Sequence, residues 1–179
     1  LSSNRETLDC AMKMPLLLAH LLLLCTPGVT AHAAERTSIM VKDINTAGAG
    51  SSNPGGFTVL NGIAYFAADD PVIGRELWRT DGTDSGTYLV KEINPGIASS
   101  SPSAMITLGN RLIFLADHAV YGRELWISDG TDDGTVLLKD LTPAGTSTYV
   151  SAATAVGNLA LFASPIGSGQ LWRTDGTPD

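Results

Sequence analysis

Three copies of one short segment dominate this chain. Arg75-Glu76-Leu77-Trp78-Arg79-Thr80-Asp81-Gly82-Thr83 returns as Arg123-Glu124-Leu125-Trp126-Ile127-Ser128-Asp129-Gly130-Thr131. It returns again, altered at its front, as Gly169-Gln170-Leu171-Trp172-Arg173-Thr174-Asp175-Gly176-Thr177. The tryptophans are 48 and then 46 residues apart. A period of that size makes each repeat one supersecondary unit that cannot bury its apolar face alone, so neighbouring units must cover one another.

Each repeat reads as four short strands. In the first, residues 57–60 run through Asn61-Gly62, a two-residue hairpin signal, into 63–68. Residues 75–80 form the third strand, 81–86 a turn, and 87–93 the fourth strand. The second repeat follows with 103–108, 112–116, 123–128 and 135–141; the third with 150–156, 159–163 and 170–174. Runs such as Leu112-Ile113-Phe114-Leu115-Ala116 are apolar on both faces of the strand, which requires a sheet covered on both sides. The expected fold is all-β, with β-propeller-type repeats of about four strands each. Three copies fall short of the usual four to eight or so blades, so the propeller is incomplete. A β-sandwich gives no reason for Trp, Asp-Gly-Thr and Lys to recur at fixed offsets.

Ser38-Ile39-Met40-Val41-Lys42-Asp43-Ile44 matches the fourth strand of a repeat, as in Leu89-Val90-Lys91-Glu92-Ile93, without the first three strands before it. Such a strand could complete the last repeat. The sequence breaks off inside a motif at Thr177-Pro178-Asp179. Both points lead to the same expectation: either a fragment of a longer protein, or self-association that completes a propeller.

The first residues read as something other than fold. Residues 1–11 look like a non-native upstream extension. Residues 12–34 look like a signal peptide, with Met12-Lys13-Met14, an apolar core from Pro15 to Cys25, and a small-residue site at Thr30-Ala31-His32-Ala33-Ala34. That core is shorter than the roughly 20 residues a bilayer span needs. The mature chain, 35–179, divides into repeats at about 41–89, 90–137 and 138–179. It keeps neither Cys10 nor Cys25, so no disulfide or thiolate metal site is expected in it. It carries nine Lys and Arg against sixteen Asp and Glu. An acidic surface argues against nucleic acid and anionic membranes as partners.

At the tryptophan segments the chain resembles a bacterial repeat family named for its signature, ELWxxDGT. Glu76 to Thr83 and Glu124 to Thr131 fit completely, and Gln170-Leu171-Trp172 departs at the first position. The resemblance covers roughly residues 41–179. It implies an exported, propeller-like repeat protein, and it carries over no catalytic residue.

The repeated residues have structural readings. Asp81, Asp129 and Asp175 can cap their turns, with Gly82, Gly130 and Gly176 supplying positive φ and Thr83, Thr131 and Thr177 bonding locally. Glu76, Leu77, Trp78, Glu124, Leu125, Trp126, Leu171 and Trp172 complete the motif, the indoles as packing groups. Arg75-Glu76 and Arg123-Glu124 could form ion pairs between neighbouring units. The competing reading of the turns is a weak calcium site at Asp81, Asp84, Asp129, Asp132 and Asp133, since carboxylates are hard oxygen ligands. No EF-hand spacing is present. His118, the single histidine of the mature chain, lacks the companions a zinc site needs. Asp69, Asp70 and Asp117 are the acids that a glycosidase pair would draw on. The expected function is a non-enzymatic binding or scaffolding module outside the cell, with a protein or glycan partner and no cofactor. The alternatives are part of a propeller-fold glycan hydrolase or lyase, and a calcium-dependent adhesion protein.

Overall fold

The computed structural model describes residues 38–46, 50–142, 147–150, 152–164 and 169–178. The chain divides into two units, Leu1–Ser38 and Ile39–Asp179. Every described strand belongs to the second. The expected upstream extension and signal peptide lie outside the described residues.

The fold is all-β. Among the described residues eleven strands run β1 Gly55–Leu60, β2 Ile63–Asp70, β3 Gly74–Thr80, β4 Tyr88–Lys91, β5 Ser103–Leu108, β6 Arg111–His118, β7 Gly122–Ser128, β8 Val136–Lys139, β9 Ala152–Val156, β10 Leu159–Ser164 and β11 Gln170–Thr174. They form three antiparallel meanders: sheet 1 in the order β1-β2-β3-β4, sheet 2 in the order β5-β6-β7-β8, and sheet 3 in the order β11-β10-β9. At the β1–β2 hairpin Asn61 and Gly62 both take positive φ, 52° and 79°, the conformation that makes Asn-Gly a hairpin turn.

Side-chain alternation then decides the stacking. Leu60, Tyr65, Leu77, Val90 and Ile93 of sheet 1 and its exit share one core with Leu112, Phe114, Ala116 and Trp126 of sheet 2. The opposite face of sheet 2, with Leu108, Ile113, Leu115, Leu125, Ile127 and Leu138, packs on Ala160, Phe162 and Trp172 of sheet 3. The other face of sheet 1, with Phe66, Ala68 and Trp78, packs with Ile44. Each tryptophan therefore faces the unit before its own. The first strands β1, β5 and β9 lie beside one another in turn, and the Thr58 hydroxyl donates to the Met105 carbonyl at 3.3 Å.

The connection between sheets 1 and 2 is stitched to both. Ser100 N–H donates to the Arg75 carbonyl at 3.0 Å, and the Ser100 carbonyl accepts from Asp117 N–H at 2.7 Å. Thr148 N–H repeats the first bond on the Arg123 carbonyl, and Asp69 N–H repeats the second on the Ser52 carbonyl.

Candidate functional site

The sequence places its chemistry in four sets of side chains. The first is the Asp-Gly-Thr turns, and the structure makes each a closed hydrogen-bonded unit. Asp81 Oδ1 accepts from Thr83 N–H at 2.9 Å and from the Thr83 hydroxyl at 2.7 Å. The Thr83 hydroxyl oxygen accepts from Gly86 N–H at 2.9 Å, and the Thr87 hydroxyl donates to the Thr83 carbonyl at 2.6 Å. Asp129, Thr131, Gly134 and Thr135 repeat the set at 2.9, 2.6, 3.0 and 2.6 Å. Asp175 holds Thr177 in the same way, at 3.0 and 2.6 Å. A Cβ on Gly86 would lie 1.9 Å from Asp81 Oδ1, and one on Gly134 2.0 Å from Asp129 Oδ1, so the carboxylate sits against bare backbone. The threonine hydroxyls, and next the threonine N–H groups, hold all three aspartates below the usual carboxylate range.

The other acids of the calcium reading are placed elsewhere. Asp84 pairs with Lys42 at 3.3 Å and Asp132 with Lys91 at 3.1 Å, while Asp133 is exposed. Each lysine also donates to the carbonyl of its aspartate's own residue. These are ties between successive units. Among the described residues no group of three or more His, Cys, Asp or Glu side chains is placed to hold a metal ion.

The second set is Glu76 and Glu124, and here the structure corrects an expectation. Neither forms an ion pair with a neighbouring unit. Both are fully buried. Glu76 accepts from Ile93 N–H at 2.9 Å, Asn94 N–H at 3.4 Å, Ser100 N–H at 3.1 Å and the Ser100 hydroxyl at 2.5 Å. Glu124 accepts from Leu141 N–H at 3.0 Å, Thr142 N–H at 3.1 Å, the Thr148 hydroxyl at 2.8 Å and the Thr142 hydroxyl. The reason lies in converging donors: Ile93, Asn94 and Ser100 bring theirs onto the Glu76 carboxylate, and Leu141, Thr142 and Thr148 bring theirs onto that of Glu124. Burial pushes the Glu76 carboxyl up, and the four donors oppose that shift. The arginines turn instead to the acid across the strand pair, Arg75 to Asp69 at 3.2 Å and Arg123 to Asp117 at 2.7 Å.

Those pairs also use two of the three candidate glycosidase acids. Asp69 accepts in addition from Asn53 Nδ2 at 2.8 Å. Asp70, the third, caps Val72 N–H at 2.8 Å and Ile73 N–H at 3.3 Å.

Third are the tryptophans: Trp126 and Trp172 pack between sheets, and Trp78 packs with Ile44. Trp78 and Trp126 are 7% and 4% exposed, and among the described residues the indole N–H groups of all three find no acceptor. The last set was not legible in the repeats. His118 stacks on Tyr121 with ring centroids 4.8 Å apart, against Trp126 at 5.8 Å. Its Nδ1 accepts from Val120 N–H at 3.1 Å, and burial lowers its pKa. The first repeat has Asp70 and Ile73 at these places, so only a position-by-position difference between repeats could have pointed to the stack.

A cavity of about 450 Å³ opens between sheets 2 and 3. Leu125, Leu138, Leu141, Phe162 and Trp172 form its apolar wall, with Lys139, Arg173 and Asp175 at its polar rim. Asp175 is the one carboxylate among its lining residues.

No family model matches the chain, and no curated protein matches it. Among solved structures, the crystal structure of the computationally designed Ika8 protein is similar to 66% of this chain and 32% of its own, at 14% identity and a TM-score of 0.38. That likeness is too slight to carry an argument. The chain spans about a third of that design's length. Among the described residues no helix is long and apolar enough to cross a membrane, which says nothing of a β-barrel.

Proposed function

We propose that residues 35–179 belong to a β-propeller-type repeat region of an exported protein, acting as a non-enzymatic binding or scaffolding module for a protein or glycan outside the cell. Stacked meanders with their first strands side by side support the propeller reading. The observation that carries the functional reading is a division between the two ends of the strands.

One end holds the repeated Asp-Gly-Thr turns, whose carboxylates and hydroxyls are engaged with their own backbone. The other end holds the β2–β3 and β6–β7 loops and the connection at 92–102. Asn94 Oδ1 accepts from Ala119 N–H there at 3.0 Å. This end carries exposed apolar residues: Val72 and its repeat counterpart Val120, at 72 and 67%, and Ile97, at 79%, which the other repeats do not share. Exposed apolar residues grouped on loops suit recognition better than scaffold.

The test is retention of the chain on immobilised polysaccharides and cell-surface proteins, with an Ile97→Asp, Val120→Asp double variant beside it. Specific retention that the double variant abolishes is expected. Retention that the variant leaves unchanged, or release of reducing ends from a bound polysaccharide, would overturn the reading; the second outcome would favour the hydrolase.

A further inference from the structure

Sheets 1 and 2 share one register, and at one cross-strand row they carry different chemistry. In sheet 2 the row is Ile113, Ile127 and Val136, paired in that order across β6, β7 and β8. The same positions in sheet 1 are Tyr65, Arg79 and Tyr88 on β2, β3 and β4. An aliphatic row is therefore enough to build a unit, and two tyrosines with an arginine are more than the fold asks. The row points towards sheet 2. Tyr65 itself joins the core between the two sheets, as do Leu77 and Val90, each two residues along its strand from Arg79 and Tyr88. The row lies at the end of the strands where the Asp-Gly-Thr turns sit.

The tyrosines hold the guanidinium between them. The Arg79 guanidinium carbon lies 4.9 Å from the centre of the Tyr88 ring and 6.0 Å from that of Tyr65. Tyr65 is anchored: it is 3% exposed, and its hydroxyl lies so close to Gly130 that a Cβ there would meet it at 2.1 Å. Tyr88 is open, at 44% exposed. Arg75 and Arg123 each hold a carboxylate. Among the described residues Arg79 has no such partner, and its buried Nε has no acceptor. Asp81 and Asp129, the acids of the adjoining turns, keep Oδ1 on Thr83 and Thr131. The guanidinium fork matches a planar carboxylate, and an open ring beside it offers a flat apolar face. The fixed charges of the turn aspartates disfavour a multiply charged anion there and leave a single carboxylate as the better match.

We propose that Arg79 and Tyr88 form a subsite for a uronate, a sugar ring that bears one carboxylate, within an acidic polysaccharide. The carboxylate takes the Arg79 Nη groups, the C–H face of the ring lies on Tyr88, and Tyr65 positions the guanidinium. An acidic peptide would bring a carboxylate too, but the open ring beside the fork calls for a flat apolar face next to the charge, which a sugar ring carries. The subsite lies at the opposite end of the strands from Val72, Ile97 and Val120 and uses none of them, so it goes beyond the loop reading above and does not rest on it.

Calorimetric titration of the chain with oligomers of galacturonate, glucuronate and mannuronate tests it, with the uncharged galactose, glucose and mannose oligomers beside them. Sheet 2 supplies two variants. Arg79→Ile and Tyr88→Val install the residues of its equivalent row, so Tm should hold. Arg79→Lys keeps the charge and removes the fork. The expected result is binding of at least one uronate oligomer, with a loss of about tenfold or more for its uncharged counterpart and for each of the three variants. Failure of every uronate to bind at about 10 mM, equal binding of the uncharged oligomer, or unchanged binding in any of the three variants overturns the proposal. So does a polyglutamate peptide that binds more tightly than the uronates. The Ile97→Asp, Val120→Asp double variant should bind the uronate as the wild type does. A loss there would place glycan recognition on the loops, overturning this subsite while leaving the loop reading intact.

Discussion

Sheets 2 and 3 share a motif and differ in their surroundings. Sheet 2 lies between two neighbours, and β6 is buried on both faces from Leu112 to Ala116. Among the described residues sheet 3 has one neighbouring sheet, and its leucine at the same motif position, Leu171, is exposed. The comparison separates what the motif does within a unit from what it does between units. The Asp-Gly-Thr turn forms in all three copies, sheet 3 included, so it depends on local backbone. Burial of the leucine and the lysine tie depend on a neighbour. The unit is therefore half autonomous, as expected where stability is a sum of repeat and interface terms.

The largest expected effect falls on the interface term. Glu124→Ala takes the carboxylate from Leu141 N–H and the Thr148 hydroxyl, and leaves Thr142 N–H with Asp140 Oδ1 alone. A loss of about 3–5 kcal/mol is expected in urea unfolding, in line with other broken buried networks. A loss below about 1 kcal/mol would show that the clasp is incidental.

Next comes a matched pair. Leu125→Ala should cost about 2–5 kcal/mol, because it empties a packed site. Leu171→Ala, at a leucine that is 74% exposed, should stay within about 0.5 kcal/mol. Equal effects would erase the distinction between covered and bare faces.

The turns should respond to acid. Their aspartates titrate below the ordinary value, so their contribution is present above the unfolded carboxylate pKa and is lost as pH falls through the folded one. Glu76 has the opposite sign: its raised value disfavours the folded state as pH rises through it. Asp81→Asn should flatten the acid limb of Tm between pH 5 and pH 2 or so. An unchanged limb would assign acid sensitivity elsewhere.

Smaller still is the tie between units. Lys91→Met removes a pair in which Asp132 is 68% exposed, so the expected cost is about 0–1 kcal/mol, shrinking with added salt. The least effect is expected from calcium. Neither calcium nor EDTA should move Tm by more than about a degree, since a ligand that binds the folded state would raise it. A rise of several degrees with calcium would revive the adhesion reading.

Strand order and most boundaries were legible because turn chemistry and apolar runs are local. Asn61-Gly62 and the residues of β5 and β11 show this. The covering of sheet 2 on both faces was legible in Leu112 to Ala116. The fate of Glu76 was not, because its donors lie 17 to 24 residues downstream and a charged residue beside arginine reads as a surface pair. The His118–Tyr121 stack was hidden for a related reason: repeat logic highlights what recurs, and this pair occurs once.

The glutamate clasp has a consequence for the growing chain. When β3 leaves the ribosome, its acid has no donors, and it acquires them only as residues 93 to 100 follow. A nascent unit would then lock in place as the next one begins to emerge. Chains released after ending just before residue 93 should leave that meander open to protease, and chains that end just after 100 should close it.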